Sequence, residues 1–109
     1  MNDLINVTDT PTQIVYWHRE LPPLEAEPMS EHTVEADSPR VPDTLARRDE
    51  LWKECPRGLI AAVQRRIGQE VSRLEGRFAH VLDERIEIKR DSVHSEAWLH
   101  GRYTYMLYR

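Results

Sequence analysis

Glu84, His100 and Arg102 are the residues whose types and placing lend themselves best to chemistry. They fall in two strand-like stretches, RFAHVLDERIEIKR (77–90) and EAWLHGRYTYMLYR (96–109), separated by the turn-prone DSVHS (91–95). If the stretches pair as a hairpin with Phe78 opposite Tyr108, Glu84 falls opposite Arg102. His100 then lies one step along the same face, beside Trp98. A carboxylate, a guanidinium and an imidazole so placed can bind an anion or move a proton, with the Trp98 ring as a stacking surface. The simpler reading of the same residues is a cross-strand ion pair beside a hydrogen-bonded histidine.

Other chemistry-bearing residues do not group by spacing. None of the five histidines (His18, His32, His80, His94, His100) stands in an HxxxH arrangement, and the single Cys55 rules out CxxC. In the hairpin register His80 and His100 are about 20 Å apart along the sheet, too far to share a metal. Ser92, His94 and Ser95 in the turn lack the orienting acid and oxyanion donors of a catalytic triad. Cys55, near Lys53 and Arg57, reads more simply as a small core residue than as a lowered-pKa thiolate. There is no P-loop, GxGxxG or HExxH. No catalytic residue, metal or cofactor is expected, and the chain reads as more consistent with a binding protein than with an enzyme.

The elements that must position these residues follow from periodicity. The hairpin register also sets Arg90 opposite Glu96, Ile88 opposite Trp98, Leu82 opposite Thr104, Val81 opposite Tyr105, Ala79 opposite Leu107 and Asp83 opposite Tyr103. Between Asp43 and Glu75 the apolar positions Trp52, Cys55, Leu59, Val63, Ile67, Val71 and Leu74 recur about every 3.7 residues, an α-helical period. Asp43 or Thr44 is the expected cap and Gly76 the expected left-handed stop. Pro56 deletes a helical hydrogen bond, so a kink there, or a split into 43–54 and 57–75, is predicted. Six of the seven prolines precede residue 43. Residues 1–42 therefore read as an extended, acidic, proline-rich arm with a possible strand at 31–37.

This gives an α+β fold: arm, one long or kinked helix over about 43–75, and a small antiparallel sheet of two to four strands ending in the hairpin. The core is assigned to 43–109, within a single domain. The hairpin is apolar on both faces, and one helix can cover only one of them. Tyr16, Trp17, Leu21 and Leu24 of the arm, with Phe78, Met106 and Tyr108 of the hairpin, are the expected interaction surface. It is covered either by the arm in cis or by another chain.

A chain of 109 residues makes one domain, and no apolar run is long enough to cross a membrane. The beginning, MNDLINVTDT, has neither the basic nor the apolar region of a signal peptide, and one cysteine cannot form an internal disulfide. Both suit the cytoplasm. Residues 1–50 carry 11 acidic and 4 basic side chains, and residues 51–109 carry 8 and 11. The basic pairs Arg47-Arg48 and Arg65-Arg66 lie among helix acids and read as a solvated face. Nucleic-acid and membrane partners are not expected; self-association or another protein is.

The pieces RLEG (73–76), AHVLDERI (79–86) and WLHGRYTY (98–105) resemble two groups of small bacterial βαββ proteins over about residues 70–109. One is an uncharacterised family of heavy-metal-binding-like oligomers and the other is the flavin-binding dodecins. The resemblance implies a bacterial, oligomeric protein of unknown function. The long proline-rich arm departs from dodecins, and no clustered Cys/His pair supports a metal. The sequence thus points first to an assembly or protein-interaction module. Its alternative is a small-ligand or anion binder using Glu84, His100 and Arg102 beside Trp98.

Overall fold

The structure, a computed structural model, describes residues 13–109. The fold is α+β. Its strands are β1 (Val15–Trp17), β2 (Pro28–Asp37), β3 (Val41–Pro42), β4 (Phe78–Asp91) and β5 (Glu96–Tyr108). A 3-10 turn at Leu45–Arg47 and two helices, α1 (Arg48–Lys53) and α2 (Cys55–Arg73), lie between β3 and β4. The sheet runs β1-β4-β5-β2, with the short β3 also on β5. It is mixed, not purely antiparallel, because β1 runs parallel to β4. Three strands of this five-stranded sheet come from the stretch read as an arm, so residues 15–42 are part of the framework. The strand expected at 31–37 is real and begins earlier, at Pro28.

The helix breaks where Pro56 requires. Pro56 sits in the first turn of α2, where a missing N–H costs least. Glu54 joins the two helices with an αR backbone. The offset turns α1, so Leu51 is buried in place of Trp52, which is 57 % exposed. Below the break the expected stripe holds: Cys55, Leu59, Val63, Ile67 and Val71 are buried against Tyr103, Tyr105, Leu107, Leu99, Ala79 and Val81. Buried Gly101 lets α2 come this close, since a Cβ there would stand 3.1 Å from Leu59 Cδ2 and 2.5 Å from Tyr103 Cε1.

The expected caps differ. Thr44 makes no side-chain cap bond, and the Asp43 carboxylate instead accepts two hydrogen bonds from Arg90 at 2.8 and 2.9 Å. At the far end Glu75, not Gly76, takes the left-handed conformation, φ 60°. Gly76 N–H bonds to the Val71 carbonyl and Glu75 N–H to the Ser72 carbonyl, the paired bonds of a Schellman motif.

The hairpin register is as expected only at its open end. Phe78 pairs with Tyr108, Ala79 with Leu107 and Val81 with Tyr105. Leu82 is then an extra residue, a β-bulge, and every later pair shifts by one: Asp83 with Thr104, Glu84 with Tyr103, Arg85 with Arg102, Ile88 with Leu99, Arg90 with Ala97. One inserted residue exchanges the faces of the upper half of β4. Ile86 and Ile88 move to the helix side, and Asp83, Arg85, Glu87 and Lys89 to the outer side.

What covers the outer side follows from topology. β1, β2 and β4 are mutually parallel, so β1-to-β2 and β2-to-β4 are both crossovers, travelling in opposite directions across the sheet. Crossovers are right-handed, so the two must use opposite faces. The helices take one face, which leaves residues 18–27 to the other. His80 on that face shares a 2.6 Å hydrogen bond with the His18 carbonyl, and Phe78 and His80 are buried there. At this end of the sheet the arm covers the second face in cis. Pro22, Pro23 and Ala26 are half-buried, while Leu21 and Leu24 point to solvent, 71 % and 98 % exposed.

Candidate functional site

The bulge takes apart the group expected around Glu84. Arg102, His100 and Trp98 stay together on the outer face of β5, but Glu84 now shares the helix side with Tyr103. Arg102 has Glu35 of β2 on one side and Arg85 of β4 on the other. Thr104 and Asp83 complete a polar depression of about 240 Å³ with the two arginines. Like charges directly opposite on a sheet cost a few tenths of a kcal/mol or more. Among the described residues neither guanidinium lies within 4.0 Å of a carboxylate oxygen.

His100 is held by two acids from β2 that sequence spacing could not bring to it. Its Nδ1 lies 2.6 Å from Asp37 Oδ1 and its Nε2 2.8 Å from Glu35 Oε1. The Asp37 bond, then the Glu35 bond, raise the imidazole above its ordinary range, against some desolvation. The His100 bond in turn lowers the Glu35 carboxyl. Both ring nitrogens face carboxylate oxygens, an arrangement that favours the protonated imidazolium, in which both donate. The cluster is a charged clamp joining β2 to β5. Trp98, one step along, is covered by the Arg40 guanidinium, 3.9 Å from the ring centroid, a cation–π contact.

Glu84 stands in a different corner. His18 Nε2 is 3.6 Å from its Oε1, and His18 itself has φ 51° where the chain leaves β1. Below it the Tyr103 hydroxyl and the Trp17 indole N–H are buried without a hydrogen-bond partner among the described residues. Their rings meet edge to face at 5.8 Å. Burial pushes the Tyr103 phenol well above its ordinary range, and the Glu84 carboxylate, close enough to act on the hydroxyl but outside hydrogen-bond geometry with it, adds to the effect.

The remaining candidates disperse. Cys55 is buried and donates to the Pro39 carbonyl at 3.3 Å. His32 packs against the Tyr105 ring, centroids 5.6 Å apart. His94 contacts Asp91 within the turn at 2.8 Å, where Asp91 also accepts the Val93 and His94 N–H groups. No group of three His, Cys, Asp or Glu side chains among the described residues is placed to hold a metal ion. No helix among them is long and apolar enough to cross a membrane. Of the expected interaction surface, Phe78 is buried, and Tyr16 meets it edge-on at 6.0 Å. Trp17, Met106 and Tyr108 are half-buried.

The hairpin leaves a long open edge along β4. β1 pairs only with Ala79–Val81, so from Asp83 to Asp91 β4 is a sheet edge without a neighbouring strand among the described residues. Leu99 spends its N–H and C=O on Ser38, toward β2. In an antiparallel pair that leaves its partner Ile88 with N–H and C=O turned away from β5, to the open edge. Ile86 beside it is 46 % exposed. The readable signal was the alternation Asp83, Arg85, Glu87, Lys89, Asp91, which marks one solvated face of a strand. Against known proteins, no family, no curated protein and no solved structure matches this chain.

Proposed function

We propose that the protein is a protein-interaction module that works by adding an extended strand to the open edge of β4. The observation that carries this reading is the edge itself: nine residues, Asp83 to Asp91, with outward main-chain groups and half-exposed Ile86. Such an edge is a template for strand addition. On the outer face before the bulge Phe78 and His80 are buried, with His80 bonded to the His18 carbonyl, so the open binding element lies farther along the same strand. His100 is engaged at both nitrogens, which argues for a structural role.

The test is selection of displayed random peptides on the wild-type protein and on Ile86→Pro. A proline at this outward-facing position removes an edge donor while leaving the bonds to β5 intact. Circular dichroism confirms that the variant is folded. Peptides enriched on the wild type and lost on Ile86→Pro support the reading. Equal enrichment on both proteins, or none on a monomeric wild type, overturns it.

A second reading rests on Arg85 and Arg102, which lie side by side with no carboxylate oxygen within 4.0 Å among the described residues: the outer face binds a small anion. Titration with inorganic phosphate, followed by Trp98 emission in wild type and Arg102→Ala, separates the two.

A further inference from the structure

We infer that the strand received by β4 is the β4 of a second copy of this chain, paired antiparallel about a two-fold axis at Ile88. The inference rests on the strand-addition reading and names its partner.

A two-fold normal to the sheet sets each residue opposite one whose number mirrors its own about the axis, on the same face. Along the outer face the charges alternate: Asp83, Arg85, Glu87, Lys89, Asp91. An axis at an outer-face residue sets like charges opposite, and one at Glu87 would oppose Glu87 to itself and Arg85 to Lys89. An axis at a helix-side residue does the reverse. At Ile88, Glu87 faces Lys89 of the second copy and Arg85 faces Asp91, each twice by symmetry. A row of one sign would repel every copy; alternation accepts copies in alternate registers and rejects the others.

Two further observations select Ile88. Its N–H and C=O point to the open edge, as do those of Ile86 and Arg90, so an axis there forms a reciprocal pair of main-chain hydrogen bonds, and an axis at Arg90 would keep only the Lys89–Asp91 pairing of the charges. β1 occupies the slot beside Val81, where the His18 N–H bonds the Val81 carbonyl at 2.9 Å. An axis at Ile86 would bring the second copy's Asp91 level with Val81, into Trp17. An axis at Ile88 brings it level with Arg85, clear of β1. Arg85, without an ion pair among the described residues, gains one.

The experiment is the solution mass of the full chain by sedimentation equilibrium, for wild type, Glu87→Lys, Lys89→Glu and the double exchange. The double exchange also keeps the 3.2 Å contact between residues 87 and 89 within one chain. Expected are twice the 12.9 kDa chain mass for wild type, at least a tenfold weaker association for each single variant, and recovery in the double variant. With the axis at Ile86 the double variant would set residue 87 against Arg85 and residue 89 against Asp83, and would not recover. A monomeric wild type, or a dimer indifferent to the exchanges, overturns the inference. Peptide selection by a monomer would leave the strand-addition reading standing, and loss of both would end it.

Discussion

Tyr103 and Tyr105 set up a comparison in which one substitution should have opposite signs at neighbouring sites. Both residues are fully buried on the helix side of β5. The Tyr105 hydroxyl donates to Glu70 Oε1 at 3.1 Å, while the Tyr103 hydroxyl has no partner among the described residues. Phenylalanine keeps either ring, including the edge-to-face contact of Tyr103 with Trp17, and removes only the oxygen. A buried hydroxyl without a partner costs about 1–3 kcal/mol, and a hydrogen bond to a charged group contributes about 1.5–3 kcal/mol. Tyr103→Phe should therefore stabilise the fold by about 1 kcal/mol, and Tyr105→Phe should destabilise it by about 1.5 kcal/mol. For a domain near this size, 1 kcal/mol moves Tm by about 4–8 °C, so the variants should melt on opposite sides of the wild type. Urea titration at neutral pH gives the same comparison at one temperature. If Tyr103→Phe is destabilised as much as Tyr105→Phe, its hydroxyl is bonded in solution. The reading of that corner as an uncompensated polar site, with Glu84 nearby, would then be wrong.

Glu75→Gly should stabilise the protein by about 1 kcal/mol, because a left-handed φ is strained for Glu and free for Gly; chemical denaturation measures it, and an unchanged midpoint would mean that the Schellman turn is not kept in solution. His100→Gln should cost about 1 kcal/mol below the ordinary imidazole value of 6.5 and progressively less at higher pH. The sign follows from the raised folded-state pKa: the protonated form is favoured by folding, so its stabilisation is complete below 6.5 and is lost as pH rises through the raised value. Glu35, whose pKa is lowered, contributes in the opposite sense, above its ordinary 4.5, and loses that contribution in acid. Unfolding curves of wild type and variant across this range should converge at alkaline pH; a constant difference would show that the clamp does not titrate.

Periodicity made the helix legible, because Cys55 to Val71 repeat at the α-helical interval and all face one sheet. The break at Pro56 was legible for the same chemical reason, a missing N–H. Trp52 was not, because its burial depends on how far α1 turns at Glu54. The hairpin was legible up to Val81. Beyond it the pattern misled, since a bulge leaves no mark in a sequence whose alternation still pairs opposite charges: Glu84 with Arg102 looked as good as Glu84 with Tyr103 proves to be. The acids that hold His100 were out of reach because they come from β2, and sequence order does not say which edge of the hairpin β2 joins. The arm was read as extended chain because prolines disfavour helix; that argument does not distinguish an arm from the edge strands, where proline is also tolerated.

The bulge at Leu82 accounts for both the closed and the open parts of the outer face. Before it, Phe78 and His80 point outward and need a cover, which residues 18–27 supply on the only face a right-handed crossover leaves them. At the bulge the strand bends and its twist increases, and there β1 stops and the chain turns away through His18. β1 cannot follow a strand that has changed direction, so the edge beyond has no neighbouring strand among the described residues. The same inserted residue moves Asp83, Arg85, Glu87 and Lys89 outward and brings Glu84, Ile86 and Ile88 to the helix side. An edge with alternating charge on one face and isoleucines on the other is thus a geometric consequence of one extra residue. In the unbulged register those isoleucines would lie on the outer face and the charged row would turn toward the helices.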